Sequence, residues 1–147
     1  MKIFFLSIFA IFFFFPHSHA ASMKTIRCTF DKEGITAEWD KKEKFKSEKS
    51  VYSKHAEDSV AIFDQIDEEK SAARLIGNNG AADVVLINTG NVLSFLEVTA
   101  VGNQILTSIF LDSPFADGSF PAVTSRHISL LQKPLISQYY GICVNQS

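Results

Sequence analysis

The only two cysteines in the chain, Cys28 and Cys143, stand near its opposite ends. Each sits in a stretch where apolar and polar residues alternate, the period of a strand with one buried face. A bond between them ties the first strand of a β-protein to the last and requires the two to lie side by side. A closed barrel meets that requirement by construction, and closure also removes the sheet edges that invite aggregation. A link enclosing nearly the whole fold contributes about 2–4 kcal/mol of stability.

Whether the thiols pair depends on the compartment, and the opening segment "MKIFFLSIFAIFFFFPHSHAAS" bears on that. Lys2 supplies a positive start, residues 3–15 a mostly apolar run, and Pro16 a break before Ser18-His19-Ala20. Small residues at −3 and −1 predict a signal peptide over residues 1–20, cut after Ala20. The apolar run is shorter than the roughly 20 residues a membrane-spanning helix needs, so no stable membrane anchor is expected. The expected location is secreted or periplasmic, where an even pair of cysteines forms a disulfide. A thiol nucleophile would need a free cysteine of lowered pKa near a histidine, and export and pairing both act against it. Residues 21–147 are enough for one domain that buries about two-thirds of its unfolded surface.

Between the cysteines the sequence reads as strand after strand. Ile26, Cys28 and Phe30 share one face, and Ile35, Ala37 and Trp39 share the face of the next strand, with a turn expected at residues 31–34. Further strands are expected over residues 60–66, 71–76, 83–88, 92–99, 104–111, 122–131 and 136–144. "GNNG" at residues 77–80 is a hairpin signal, because Asn and Gly tolerate the positive φ of tight turns. Short strands spaced by roughly 8–12 residues indicate an all-β sandwich or barrel. The expected fold is a small, mainly antiparallel barrel of about eight strands with its first and last strands disulfide-linked; a β-sandwich is the alternative.

Residues 40–54 depart from this rhythm, with six lysines against three acids. Lys41, Lys42, Lys44, Lys46 and Lys49 form a candidate basic surface on what reads as a mobile, solvated loop. An acidic stretch follows directly, the whole chain carries a formal net charge of −2, and nucleic-acid binding is not expected.

Candidate chemistry is sparse. Ser125 and His127 share one face of a strand, with Arg126 on the other. A hydrolase built on Ser125 and His127 ranks last among the readings: same-face neighbours diverge, no acid is assigned to the histidine, and Gly-x-Ser-x-Gly is absent. His127 is expected to line the barrel mouth or interior. His55 and His127 are the only histidines beyond the leader, and no zinc or calcium ligand spacing is present. No metal and no cofactor are implied.

The three arginines, Arg27, Arg74 and Arg126, all fall in expected strands, whereas the lysines cluster in loops. Arginine suits a partly buried cation that meets a carboxylate through two parallel hydrogen bonds. Glu97 and Asp83 lie in equally apolar settings. Two readings follow: structural ion pairs between neighbouring strands, or a small anion-binding cluster inside the barrel. Arg74, Glu97, Arg126, His127 and Tyr139 are the candidate ligand-binding residues. Adjacent Tyr139 and Tyr140 face opposite ways, so only one of them points inward.

The stretches "ARLIGNNGAADV", "SFLEVTAVGNQILTSIF" and "AVTSRHISLLQKPLISQYYGIC" resemble small, uncharacterised exported β-proteins of alphaproteobacteria. These close on a Tyr-x-Gly-x-Cys-like strand, matched here by Tyr139, Gly141 and Cys143. The resemblance implies a periplasmic or secreted β-protein and carries no activity with it. The expected function is non-enzymatic binding of an envelope component or a small anionic ligand. The alternative is a secreted effector of a host-associated bacterium that engages a host protein.

Overall fold

The computed structural model describes residues 23–38, 46–51, 59–78, 80–130 and 133–146, and within them nine strands and no helix. These are β1 (Ile26–Glu38), β2 (Lys46–Val51), β3 (Ser59–Asp67), β4 (Ala72–Gly77), β5 (Gly80–Asn88), β6 (Val92–Val98), β7 (Gln104–Phe110), β8 (Phe120–Leu130) and β9 (Lys133–Asn145). The expected leader, residues 1–20, lies outside the described residues, as do Lys41, Lys42, Lys44 and His55.

Every pairing is antiparallel. From β3 to β9 each strand pairs with the next, and β1 pairs with both β3 and β9. Eight strands therefore close into one barrel, and the sandwich alternative is set aside. Cys28 and Cys143 are direct register partners across the closing β1–β9 seam, joined by a disulfide with their Cα atoms 4.0 Å apart.

Two local expectations are corrected. Residues 31–34 are not a turn between strands but a bulge within β1. Phe30 stands opposite Gly141 and Gly34 opposite Tyr139, so Asp31, Lys32 and Glu33 share the space facing Tyr140 alone. Extra residues on one strand bend it and increase its twist without ending the ladder. The second correction concerns the lysine-rich stretch, where residues 46–51 form strand β2 rather than loop. Beyond the bulge β1 has left β3 behind, and its backbone groups on that side need another partner. β2 supplies it, with Ile35 opposite Lys49 and Glu38 opposite Lys46.

The pleat sends alternate residues inward. An eight-stranded barrel is just wide enough for side chains to fill, and one half of this one is filled. Ile26, Phe63, Leu93, Phe95 and Ile109 are each no more than 3% exposed and pack around the disulfide. Phe63 and Phe95, from strands on different sides of the barrel, stack with ring centroids 3.9 Å apart and planes within 10°. The two rings are closer than the roughly 4.5–7 Å of most aromatic pairs and meet nearly face to face.

Candidate functional site

The other half of the barrel is not filled. At the end that carries the β4–β5, β6–β7 and β8–β9 turns, the inward positions of β3, β4 and β5 hold Ala61, Gly77 and Ala82. Side chains this short cannot meet across the interior. The result is a cavity of about 710 Å³ whose lining includes Ala61, Phe63, Ala82, Glu97, Thr107, Thr124 and Arg126. Phe63, backed by Phe95, closes its floor.

The polar groups gather on the β6–β7–β8 wall. Phe95 is opposite Thr107, and Thr107 opposite Thr124, in successive ladders. The Thr107 hydroxyl donates to the Thr124 hydroxyl at 3.1 Å, which satisfies two buried polar groups with each other. One pleat nearer the opening, Glu97, Ile105 and Arg126 form the next row of register partners. Glu97 and Arg126 are both half-buried and line the cavity. The Arg126 guanidinium carbon lies 5.5 Å from the centre of the Tyr139 ring, within cation–π range. Tyr139 is on β9, on the side of Arg126 away from Glu97. A separate, narrow pocket lies under the β1 bulge, between Asp31, Lys32, Arg126 and Tyr139.

The candidates read from sequence thus separate into two groups. Glu97, Arg126 and Tyr139 come together at the inner opening. Arg74 does not join them: it points outward and forms a fork with Asp64, its direct partner on β3, with Nε–Oδ1 at 2.9 Å and Nη2–Oδ2 at 2.6 Å. These hydrogen bonds hold the Asp64 carboxyl below the usual carboxylate range and raise the guanidinium further. Asp83 stands opposite Arg74 on its other side and adds to that effect. Arg74 is therefore a structural cation, and no cluster of arginines forms inside the barrel.

His127 is also outside, and exposed, which corrects its expected place at the mouth or interior. The expectation that Ser125 and His127 diverge is corrected too, for their Oγ and Nε2 atoms lie 3.2 Å apart. The strand's twist brings these i, i+2 side chains together on the convex wall. The residues opposite His127 are Gln104 and Ile136, neither of which is an acid. Of the basic-surface residues only Lys46 and Lys49 fall within the described backbone, on β2. No group of three or more potential metal ligands occurs among the described residues.

Sequence reasoning missed the floor and the hydroxyl pair. Parity would have found both: Thr124 and Arg126 continue the inward set begun by Ala122, and Glu97 continues that of Leu93 and Phe95.

Comparison with protein-family models, with curated proteins and with solved structures finds no match to the chain. What defines the molecule is its own geometry: a disulfide-closed, eight-stranded antiparallel barrel, half packed and half open.

Proposed function

We propose that this chain is an exported, non-enzymatic binding protein that holds a small ligand in the open half of its barrel, in the periplasm or outside the cell. The observation that carries this reading is the cavity of about 710 Å³ over the Phe63 floor, with Glu97 and Arg126 at its opening. Its size falls within the roughly 300–1,000 Å³ of small-molecule sites, as does its pairing of an apolar floor with a few placed polar groups. The Cys28–Cys143 disulfide fits an oxidising compartment. No helix among the described residues is long and apolar enough to cross a membrane. Binding without turnover is favoured because the buried Thr107 and Thr124 hydroxyls of the cavity wall hydrogen-bond to each other, while the Ser125–His127 pair faces the opposite side of the wall.

The test is mass spectrometry of small molecules retained by the protein purified natively from its own host, beside an Ala82→Phe variant. Ala82 lines the cavity, and a phenyl group there projects into it and takes up part of its volume. The expected result is a compound carried by the wild type and missing from a folded Ala82→Phe protein. Equal retention by both would place binding elsewhere. Fractionation of the host tests the compartment, and mature protein in the cytosol would overturn that part of the reading.

A further inference from the structure

We infer that a second copy of this chain docks on the outer face of β5, β6 and β7, wall against wall, in a reversible two-fold dimer. This is independent of the cavity reading, because these side chains stand on the other side of the barrel wall.

Alternation fixes which residues of the three strands face out. Their register makes a grid: Ile87, Ser94 and Ser108 form one row, and Val85, Leu96 and Leu106 the next. Val98 follows Leu96 on the same face of β6. Val98 is 60% exposed, Val85 50%, Ile87 45% and Leu106 36%. Four of the ten exposed large apolar residues among those described thus share three adjacent strands. Scattered apolar side chains are ordinary on a protein surface, whereas a contiguous patch of a few hundred square ångströms marks a contact. Three strands about 4.8 Å apart, each seven residues long at about 3.3 Å per residue, give a face of roughly 14 by 23 Å.

The Ser94 and Ser108 hydroxyls on this face hydrogen-bond each other at 2.9 Å, so covering them leaves neither unsatisfied. The one charged residue that faces out from these strands is Asp83, at the edge, where it stands opposite Arg74 on β4. Other outward charges lie on β1, β3 and β4, at Arg27, Asp64 and Arg74. The chain carries a formal net charge of −2, so two copies repel as bodies, but on this face they meet without setting like charges together. A charged partner or an anionic lipid surface finds no cation here and would lose hydration without compensation. An uncharged face of this kind is complementary to itself, which is what an isologous two-fold contact requires. Its area falls short of the roughly 800 Å² per partner of stable complexes, which makes the dimer weak and reversible.

Sedimentation velocity on the full mature protein, from about 10 to about 500 μM, reads the association directly. The expected result is a monomer–dimer equilibrium that tightens as NaCl rises from about 0.02 to about 0.5 M, because salt screens the repulsion between the two bodies and spares the apolar contact. Val85→Glu and Val98→Glu, both at exposed positions, should each raise the dimer Kd about tenfold or more by burying a charge without a partner. Ile142→Glu, on β9 and off this face, should leave it unchanged. Circular dichroism checks that each variant is folded. A wild type that stays monomeric at the highest concentration overturns the inference without any variant having to fold. So does a dimer that survives both the Val85 and Val98 substitutions, or one that Ile142→Glu weakens as strongly. A monomeric wild type that floats with phosphatidylcholine vesicles, and ceases to in Val98→Glu, also overturns it and gives the face to a bilayer.

Discussion

Gly34 and Tyr139 are register partners across the barrel seam, and the tyrosine ring occupies the place where a side chain on residue 34 would lie. A Cβ at Gly34 would sit 2.6 Å from the ring, and one at Gly141 would sit 2.8 Å from the Cα of Phe30 and closer still to the Thr29 carbonyl oxygen. The two glycines let β1 and β9 approach on either side of the bulge, so that Tyr139 lies flat enough to carry Arg126 above it. Gly141→Ala must displace backbone and is expected to destabilise the fold by about 2–3 kcal/mol. Gly77→Ala meets nothing within 4 Å and should stay within about 0.5 kcal/mol of wild type. Equilibrium unfolding in urea measures both, and equal effects would contradict the close approach.

The disulfide makes a second prediction. Replacing Cys28 and Cys143 together by alanine is expected to lower stability by about 2–4 kcal/mol through the freed unfolded chain. Urea titration of wild type with and without reductant should show a shift of similar size, and the double variant should not respond to reductant at all.

Acid should weaken the β3–β4 pairing. Arg74 depresses the Asp64 carboxyl in the folded protein, so the folded state binds that proton less readily than the unfolded chain. The contribution is complete above the unfolded carboxyl value near pH 4 and is lost as pH falls through the lower folded value. Asp64→Asn should therefore reduce Tm at pH 7 and leave a shrinking difference from wild type below about pH 4. A difference that persists undiminished at pH 2 would assign the loss to packing rather than charge.

The cavity floor can be removed. Phe95 is 1% exposed and stacked on Phe63, and Phe95→Ala is expected to cost about 3–5 kcal/mol. Phe95→Leu keeps most of the volume and should cost clearly less. Thermal unfolding of the two variants ranks them, and near-equal losses would show that the stack matters through its planar contact rather than its bulk.

Most of the barrel was legible in the sequence because its strands obey a period of two between glycine- and asparagine-marked turns. The two cysteines then placed β1 beside β9. The β1 bulge was not legible, since "DKEG" has the composition of a turn and only pairing with β9 makes it part of a strand. β2 was hidden for a similar reason: its lysines and serines signal solvent, and what orders them is the edge of β1 beyond the bulge. At the site, alternation separates inward Glu97 and Arg126 from outward His127. That Arg74 pairs with Asp64 was not legible, because the partner is fixed by register, which composition does not contain. The cavity itself follows from what Ala61, Gly77 and Ala82 lack, and small residues carry no periodic signal.

The sulfur link between residues 28 and 143 has a mechanical consequence. A force pulling on the chain outside those two positions is carried straight across the seam by a covalent bond. Only the residues outside the two cysteines can extend, and the eight-stranded cylinder bears no load. A motor drawing the oxidised protein from either end meets a ring of polypeptide where a reduced one would offer a thread.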